Sequence, residues 1–389
     1  MQAETTHYCE GRARVALGSG FFRPESRPSR DLGVLLLRWL AAQRPGGEPL
    51  RVLDGMAGCG IRSARYGLEA GATELWANDA DPDRLPLLEQ NLEPLRQQGV
   101  AVQCSARTAQ KLLASCALQE QRFDYLDLDA FGAPTALLPL ALEAVRFGGI
   151  LYLASTDGRS FTGHDRPAAM RRLGAAARAQ PCSWELALRL QLGLIARVAW
   201  GLGRGVRPLL SFSEGRTFRT AVQLLRSPQP GEEALLGMQG YCHRCGAHRG
   251  GSLLRWRELG ACSCGAEPVV SGPLWRGALQ APELLEAAWA LEPPDHPSLG
   301  RGAQRQLQRL IADPGLPPEP SALADLGRTL QGGPPRLEAL VALLRQRGWQ
   351  AYASAIEPQQ FRSDAPWEQV LEAAVAARNS SALSGGKAR

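Results

Sequence analysis

The sequence predicts an α/β protein: a doubly wound, Rossmann-like parallel sheet followed by a second α+β domain. Three observations lead to this prediction. Strand-like and helix-like segments alternate over residues 50–157, which is the rhythm of successive βαβ units. A glycine-rich turn directly follows the first buried strand of that series, at residues 55–60. Four cysteines cluster between residues 242 and 264, beyond a proline-rich segment.

Length and composition limit the classes of protein to consider. The chain has 389 residues, 44% of them hydrophobic, which suits two domains with sizeable cores. No apolar run approaches the ~18 residues of a membrane span, and the N-terminus lacks the layout of a secretory signal. We therefore expect a cytoplasmic protein. The net charge of +6 comes almost entirely from arginine, which favours a polyanionic partner, although a GC-rich genome also enriches arginine over lysine.

The elements of the first domain follow from hydrophobic periodicity. An entry segment over 1–49 contains a short strand near 10–15 and a helix over 32–42. The sheet domain then has strands at 50–54, 74–79, 100–104, 123–129 and 149–156, and helices at 61–70, 82–98, 108–115 and 134–146. A helix near 185–199 and two strands at 209–214 and 220–225 complete it, and we expect these strands to add antiparallel at a sheet edge. Ligands of such a sheet bind at the carboxyl ends of the strands.

Proline and glycine mark the domain boundaries. The segment Ser227-Pro-Gln-Pro-Gly is a candidate linker, so we predict domains over 1–227 and 228–378. The second domain has helical patterns at 304–311, at 336–346 and up to about 377. The polar tail 379–389 is predicted to be disordered.

The glycine-rich turn predicts a nucleotide-type ligand. Asp54 ends the first strand, and the glycines follow as G-M-A-G-C-G, out of register with the G-x-G-x-x-G dinucleotide fingerprint. Asp79 ends the second strand, where a carboxylate can accept hydrogen bonds from a ribose diol. The D-x-x-A-G-x-G pattern resembles motif I of the class I S-adenosylmethionine-dependent methyltransferases, which implies S-adenosylmethionine as the cofactor.

A second informative stretch, FDYLDLDAFGAP, begins at residue 123. Its last acid, Asp129, is expected at the carboxyl edge of the sheet, and Phe131 follows in an exposed turn. An aromatic ring can stack on a nucleobase while a carboxylate accepts a hydrogen bond from an exocyclic amine. Asp129 could instead cap the following turn, and Asp127 is expected to be structural.

Seven short motifs are spread over nearly the whole chain: Glu10-Gly11, Phe21-Phe22-Arg23-Pro24, Arg30-Asp31-Leu32-Gly33-Val34-Leu35, Asp54 to Arg62, Asn78-Asp79, Asp129 to Pro134 and Ser363-Asp364-Ala365-Pro366. Together they resemble motifs of the tRNA (guanine-26-N2)-dimethyltransferases. The resemblance implies catalytic roles for Asp129 and Phe131. It also implies cofactor contacts from Arg30, Asp54, Arg62, Asp79, Ser105 and Ala106.

Three departures from the family pattern affect these expectations. Ser29 stands where the family has asparagine, Ser105 replaces an aspartate at the third strand end, and Ala130 replaces the proline of the catalytic signature. Alanine can adopt the φ of proline but is less restrained. Activity is therefore expected, while the preference for one or two methyl groups stays open.

The cysteine cluster predicts a structural zinc site. Cys242 and Cys245 form C-x-x-C, and Cys262 and Cys264 form C-x-C, which together offer four thiolates to a tetrahedral ion. One of the histidines His243 and His248 could replace a cysteine, and the thiols could also be free. The pattern resembles a zinc ribbon, and archaeal family members carry a comparable site.

These features together predict a monomeric tRNA guanine-N2 methyltransferase whose C-terminal domain grips the tRNA. The target guanine would have to leave its stack to reach Asp129. Arginine-rich loops are expected to contact RNA phosphates, at Arg159, Arg166, Arg171, Arg172, Arg204, Arg207, Arg216, Arg244 and Arg249. Two alternatives are a different S-adenosylmethionine-dependent amine methyltransferase and a non-catalytic, zinc-containing RNA-binding protein.

Overall fold

Strands and helices alternate through the first half of the chain. The computed structural model describes residues 6–44, 46, 48–257, 260–294 and 297–385. The strands in these residues are β1 (His7–Glu10), β2 (Ala13–Ala16), β3 (Arg51–Asp54), β4 (Glu74–Asp79), β5 (Ala101–Ala106), β6 (Phe123–Asp129), β7 (Val145–Ser155), β8 (Gly205–Glu214), β9 (Thr217–Leu225), β10 (Leu236–Tyr241), β11 (His248–Ser252), β12 (Val269–Trp275), β13 (Pro320–Ala322), β14 (Ala351–Ala353) and β15 (Gln360–Ser363). The α-helices are α1 (Arg27–Ala42), α2 (Ile61–Ala70), α3 (Leu85–Gln97), α4 (Ala109–Leu118), α5 (Leu138–Ala144), α6 (Arg166–Leu173), α7 (Ser183–Gly201), α8 (Pro282–Ala290), α9 (Arg301–Ala312), α10 (Leu323–Thr329), α11 (Leu337–Gln346) and α12 (Trp367–Gly385).

A seven-stranded sheet with the order β5-β4-β3-β6-β7-β9-β8 forms the centre of the first domain. Strands β3 to β7 pair in parallel, whereas β9 runs antiparallel to both β7 and β8. The predicted doubly wound sheet is therefore confirmed, and two strands add to one edge through antiparallel pairing, with β9 opposed to the parallel strands and β8 running in their direction. The order reverses between β3 and β6, and a ligand crevice is expected at such a switch point.

Helices cover both faces of this sheet, which explains why its central strands are apolar throughout. Val52 of β3 belongs to a core shared with α1, α2 and α3, whereas Leu53 belongs to the opposite core, shared with α4, α5 and α7. Consecutive residues thus face opposite layers, as the two-residue period of a strand requires. The rigid sheet fixes the strand ends that carry the polar residues of the site.

The entry segment differs from its prediction in two details. The predicted short strand is a hairpin of β1 and β2, with Gly11 at a φ of +56° in its turn. A Cβ at this glycine would lie 2.3 Å from the Glu69 carboxylate, so a side chain there would displace Glu69. Helix α1 begins at Arg27, five residues before the start that hydrophobic periodicity indicated, because its first residues are largely polar, although Ser29, Arg30 and Asp31 are buried.

The C-terminal part contains two three-stranded sheets, β11-β10-β12 and β13-β15-β14. Helices α10, α11 and α12 form a small core with the second of these sheets. Helices α8 and α9, however, pack in the same core as α1, through residues that include Leu285, Leu307 and Leu310. The domain division at residue 227 stays a prediction, and apolar packing crosses it.

Four buried charges join the two parts of the chain. Glu185 of α7 accepts hydrogen bonds from Arg189 (2.8 Å) and from both terminal nitrogens of Arg362 on β15 (2.9 and 2.7 Å). Arg362 also pairs with Asp313 at 2.7 Å, and all four side chains are fully buried. Arg189 donates in addition to the carbonyls of Trp275, Gly277 and Gly315.

The last helix is longer than predicted. It runs to Gly385, so the tail predicted to be disordered over 379–389 is helical over 379–385, and residues 386–389 lie outside the described part of the chain. Alanine and leucine in the tail sequence favour continued helix. Among the described residues, no helix is both long and apolar enough to cross a membrane.

Candidate active site

A cavity of about 680 Å³ opens at the carboxyl edge of the sheet. It extends from the glycine-rich turn after β3 to the turn after β6 and reaches the ends of β8 and β9. Its lining residues are Phe21, Phe22, Arg23, Ser26, Arg30, Gly55, Met56, Ala57, Gly58, Cys59, Ile61, Arg62, Asp79, Ala80, Arg84, Thr108, Ala109, Asp129, Ala130, Phe131, Thr156, Glu214, Thr217 and Arg219. Its volume lies within the ~300–1,000 Å³ of small-molecule sites.

The glycine-rich turn requires its glycines. Gly58 and Gly60 have φ angles of +57° and +80°, which other residues rarely adopt. A Cβ at Gly60 would also lie 2.7 Å from Leu88 Cδ1. Helix α2 starts directly after Gly60, and the N-terminus of a helix favours an anionic or polar group.

Asp79 lies beside this turn and is fixed by it. Its Oδ2 accepts the Gly58 N–H at 2.9 Å, and its Oδ1 accepts the Asp81 N–H at 3.0 Å. Each carboxylate oxygen retains a second lone pair for a ligand hydroxyl. The structure thus brings the predicted ribose-binding acid and the glycine turn to the same side of the cavity.

Three predicted cofactor residues do not line the cavity. Asp54 is buried, accepts a hydrogen bond from Ser63 at 2.7 Å, and has a pKa raised to about 7 by desolvation and by nearby Asp127. Ser105 donates to Asn78 Oδ1 at 2.7 Å, and Ala106 lies on the same strand end. Thr108 and Ala109, just beyond that strand, line the cavity instead.

Arg30 lines the cavity, but its guanidinium is paired elsewhere. Its Nε and Nη2 donate to the two oxygens of Glu10, at 2.7 and 2.6 Å, in a bidentate pair. It also donates to the carbonyls of Arg23 and Pro24, each at 3.1 Å. Arg30 therefore holds the segment that follows Phe22 against the hairpin of β1 and β2.

Asp129 is the half-exposed carboxylate of a two-arginine clamp. Its Oδ1 lies 2.7 Å from Arg219 Nη2, and its Oδ2 lies 3.3 Å from Arg62 Nη2. Desolvation raises the pKa of Asp129, but Arg219 and Arg62 outweigh it and lower the pKa to about 2. Because its side chain remains 37% exposed, this ionised group can accept a hydrogen bond from a ligand.

The same arginines hold Asp127, which is fully buried. Tyr66 donates to it at 2.6 Å, Arg219 Nη1 lies 3.3 Å away, and Arg62 Nη1 lies 3.5 Å away. No ligand can reach this acid, which agrees with the structural role expected of it. Asp127 and Asp129 together neutralise the two positive charges of Arg62 and Arg219, and this stabilises the clamp.

Phe131 extends from the turn after β6 towards Phe21. The two side chains are 76% and 70% exposed, and their ring centroids lie 5.9 Å apart in an edge-to-face arrangement. The turn is fixed by Gly132, whose N–H donates to Thr156 Oγ1 (2.7 Å) and whose carbonyl accepts from Ser155 Oγ (2.9 Å). Large exposed aromatic surface at a cavity entrance indicates a ligand-binding surface.

Sequence reasoning missed Arg219 and Glu214. Both lie on the antiparallel edge strands, where a single charged residue among apolar ones gave no local sign of function. Arg219 is 1% exposed, and its guanidinium also lies over the Tyr152 ring at 5.0 Å. Only the register of β7, β8 and β9 brings these residues to the cavity.

The four predicted cysteines meet in one cluster. Their sulfur atoms lie within 4.8 Å of one another, with 3.5 Å between Cys242 and Cys264 and between Cys245 and Cys262. Sulfurs bound to zinc at ~2.3 Å in a tetrahedron lie roughly 3.8 Å apart, so the cluster fits such an ion. His248 lies outside it, with Nδ1 3.1 Å from Gln239 Nε2.

Eight of the nine predicted RNA-contacting arginines are exposed. The exception is Arg204, which is buried and pairs with Glu143 at 2.5 Å and with the Leu142 carbonyl. It stabilises the end of α5 and is not available to a phosphate, so the prediction for Arg204 is wrong.

Known proteins of one family are similar to this chain over most of its length. The family model described as N2,N2-dimethylguanosine tRNA methyltransferase matches residues 12–375. A tRNA (guanine(26)-N(2))-dimethyltransferase of Pyrococcus abyssi is 29% identical, covering 94% of this chain and 97% of the relative. The enzyme of the same name from Methanocorpusculum labreanum is 30% identical, covering 90% and 86%.

A solved structure shares the whole fold. Trm1 from Pyrococcus horikoshii, in complex with S-adenosyl-L-methionine, superposes with a TM-score of 0.83 at 25% identity, covering 95% of this chain and 99% of that one. The glycine-rich turn, the arginine-clamped Asp129 and the aromatic pair at the cavity entrance thus lie in a chain that is similar to these enzymes over nearly its full length. This chain belongs to the N2,N2-dimethylguanosine tRNA methyltransferase family.

Proposed function

We propose that this protein transfers methyl groups from S-adenosylmethionine to the exocyclic N2 amine of guanine 26 in tRNA. The observation that carries the proposal is a single cavity that combines the glycine-rich turn and Asp79 with the clamped carboxylate of Asp129. Relatives over nearly the whole chain bear the name of this activity. The similar Trm1 of Pyrococcus horikoshii was solved with S-adenosyl-L-methionine.

The cofactor is proposed to occupy the side of the cavity formed by the glycine-rich turn. Asp79 accepts hydrogen bonds from its ribose hydroxyls, and Thr108 and Ala109 border the adjoining part of the site. Arg30 and Arg62 contribute cavity walls while retaining their ion pairs. Asp54, Ser105 and Ala106 lie outside the cavity wall. They are proposed to contribute indirectly, by stabilising the strand ends that form the site.

Replacing Asp79 by alanine is expected to weaken S-adenosylmethionine binding by about tenfold or more, because hydrogen bonds to a charged acceptor contribute roughly 1.5–3 kcal/mol. Isothermal titration calorimetry measures this change directly. Asp83→Asn, on an exposed residue of the following turn, is the matched control and should bind normally. Equal affinities for the Asp79 variant and the parent would rule out the ribose contact.

When bound, S-adenosylmethionine supplies an electrophilic methyl group, which passes to the amine while the C–S electron pair stays on sulfur. Asp129 accepts a hydrogen bond from guanine N2, orients the amine and stabilises the positive charge that develops on it. The methylated N2 cation is a far stronger acid than a carboxylic acid. The ionised Asp129 can therefore take its proton in spite of the lowered pKa and release it to solvent.

Phe131 and Phe21 are proposed to hold the extruded base. Their exposed rings offer apolar faces to a purine at the cavity entrance, and base–aromatic stacking contributes about 1–3 kcal/mol per base. Gly132 and Thr156 keep the Phe131 turn in place. Ala130, which stands between Asp129 and Phe131 in place of the family's proline, is buried.

Mass spectrometry of tRNA nucleosides after incubation with protein and S-adenosylmethionine tests the proposed function. We expect N2-methylguanosine and its dimethylated form at position 26, and a time course separates the two. Methylation of a peptide amine instead would favour a different amine methyltransferase. Absence of S-adenosylmethionine binding would favour a non-catalytic RNA-binding protein.

A zinc ion bound by Cys242, Cys245, Cys262 and Cys264 is proposed to be structural. The hairpin between β10 and β11 and the 262–265 turn each supply two sulfurs. Thr329 Oγ1 donates to the Cys245 carbonyl at 3.1 Å, and Tyr241 donates to Asp325 at 2.9 Å, so the cluster is fastened to α10. No part of it lines the cavity that contains Asp129.

Removing this metal with a chelator is expected to lower the melting temperature by roughly 10 °C or more, because metal binding to a structural site adds directly to folding free energy. Cys262→Ser should lower the melting temperature in the same way. Atomic emission spectroscopy should find less than one zinc ion per molecule of this variant. Cys9→Ser, an exposed cysteine outside the cluster, is the control. A chelator-treated protein with unchanged stability would contradict a structural metal.

The remaining proposals concern the partner and the setting. We propose that the part over 228–378 contacts the tRNA away from position 26, with the exposed Arg244 and Arg249 near the cysteine cluster binding phosphates. We also propose that the chain divides into domains over 1–227 and 228–378. The protein is further proposed to be a monomer and to be cytoplasmic. Arg244→Glu and Arg249→Glu should weaken tRNA binding with little effect on S-adenosylmethionine.

A further inference from the structure

A third carboxylate lines the cavity. Of the described residues around it, Asp79, Asp129 and Glu214 are acidic, and the first two already have proposed roles. Glu214 ends β8, directly before the tight Gly215-Arg216 turn into β9. Its position at the far side from Asp79 makes it part of the region proposed to receive the base.

The register of the sheet determines which way Glu214 faces. Asp129 pairs with Ala154, Ala154 with Arg219, and Arg219 with Phe212, so these residues form a row on one face. Glu214 follows Phe212 by two residues and therefore shares that face, roughly 7 Å further along. Since β8 runs in the same direction as β6, this step leads to the carboxyl edge, where the cavity opens.

Hydrogen bonds connect Glu214 to the clamp. Its Oε1 accepts the Ser29 N–H at 2.9 Å, Ser29 Oγ accepts from Arg62 Nη2 at 2.9 Å, and Arg62 Nη2 lies 3.3 Å from Asp129 Oδ2. This chain holds the two carboxylates in a defined relation. One oxygen of Glu214 is thus occupied by the first turn of α1.

The other oxygen of Glu214 has no partner. Oε2 is buried and lacks a hydrogen bond within the described residues. Desolvation raises the pKa of Glu214, while Arg219, Arg62 and the hydrogen-bonding groups of Ser29 act in the opposite direction. A buried acceptor without a donor is costly, so a ligand that supplies a donor here gains free energy.

The Watson–Crick edge of guanine supplies such a donor beside the reacting amine. Its N1–H adjoins N2, whereas adenine has an acceptor at N1. We propose that Glu214 Oε2 accepts the N1–H of the target guanine while Asp129 accepts a hydrogen of N2, so that the pair selects guanine by its edge. This proposal rests on the proposed function and identifies the residue that reads the base.

A tRNA carrying 2-aminopurine at position 26 tests this assignment. 2-Aminopurine keeps the 2-amine but has an acceptor at N1. We expect the parent protein to methylate it about 100-fold or more slowly than guanine, since a site built around a hydrogen bond strongly rejects an analogue that lacks it. Glu214→Gln can donate from its amide to N1, and we expect the guanine-to-2-aminopurine rate ratio to fall at least ~10-fold.

The guanine-to-2-aminopurine rate ratio shows whether Glu214 recognises the base or has a purely structural role. If Glu214 only accepts the Ser29 N–H, Glu214→Gln slows both substrates equally and the ratio stays constant, which would overturn the proposal. 2-Aminopurine also differs from guanine in the reactivity of its amine and in lacking O6. These differences affect the parent and the Glu214→Gln variant alike, so they cancel when the two rate ratios are compared. Parent protein that methylates both bases equally would also overturn it, without any variant. Lack of any product from guanine with the parent protein would instead contradict the proposed function itself.

Discussion

Replacing Asp129 by alanine is expected to abolish methyl transfer to tRNA while leaving S-adenosylmethionine binding intact. The carboxylate is the acceptor that orients the amine, and general acid–base catalysis with correct orientation contributes about 10²–10⁴-fold. The cofactor side of the cavity depends on the glycine-rich turn and Asp79, which Asp129 does not contact. Single-turnover methylation with radiolabelled cofactor and calorimetry measure the two properties separately.

The conservative variant Asp129→Asn distinguishes orientation from charge. Its amide oxygen can still accept a hydrogen bond, but it cannot balance Arg62 and Arg219 or take the proton. We therefore expect activity between those of the parent and of Asp129→Ala. The exposed Asp83→Asn removes the same charge elsewhere and should be fully active. Undiminished turnover by Asp129→Ala would refute the role assigned to this carboxylate.

The lowered pKa of Asp129 also predicts how the activity and the stability of the protein depend on pH. With a pKa of about 2, the group stays ionised well below neutrality, so its titration should leave kcat unchanged between about pH 8 and pH 5. The pKa of Asp129 is lower in the folded protein than in the unfolded chain, where it is ~3.9. The clamp therefore stabilises the fold fully at a pH above ~3.9, and this stabilisation is lost as the pH falls towards about 2. A fall in kcat near pH 6 would require a different titrating group.

The sequence predicted the centre of the fold well because that region has strong local signals. Strands β4 and β6 and helix α2 have the predicted bounds, each being an apolar run with an unambiguous stop. A parallel sheet brings its carboxyl ends to one edge, so Asp79 and Asp129 could be assigned to one site from topology alone. The cysteine cluster was equally accessible, since paired cysteine spacing is characteristic.

What the sequence could not provide depends on long-range pairing. Arg30 lines the cavity, but the sequence did not reveal that its guanidinium pairs with Glu10, which lies 20 residues earlier in a hairpin that periodicity did not resolve. Arg219 meets Asp129 only through the register of three strands. A one-residue shift in that register would turn Arg219 to the other face, and nothing in the local sequence fixes it. The composition of the clamp is therefore a property of the sheet.

The buried network around Glu185 should show the largest effect on stability. We expect Glu185→Gln to lower the free energy of unfolding by about 3–5 kcal/mol, because it leaves Arg189 and Arg362 facing one remaining acid, Asp313, without exposure to water. Urea unfolding followed by tryptophan fluorescence measures the change. Since Arg362 lies on β15 and Glu185 on α7, we expect the loss to loosen the C-terminal part from the sheet domain.

The double variant Glu185→Leu, Arg362→Met tests whether the penalty arises from the net buried charge that Glu185→Gln leaves uncompensated. It removes one charge of each sign, while Asp313 keeps the N–H groups of Gly315 and Ala355 and Arg189 keeps its carbonyl acceptors. Buried ion pairs replaced by apolar residues of similar size are often neutral in stability, so the double variant should be more stable than Glu185→Gln. The exposed Glu89→Gln serves as the control for charge removal. If the double variant is less stable than Glu185→Gln, the network contributes net stability through its ion pairs and hydrogen bonds, and the charge-balance explanation fails.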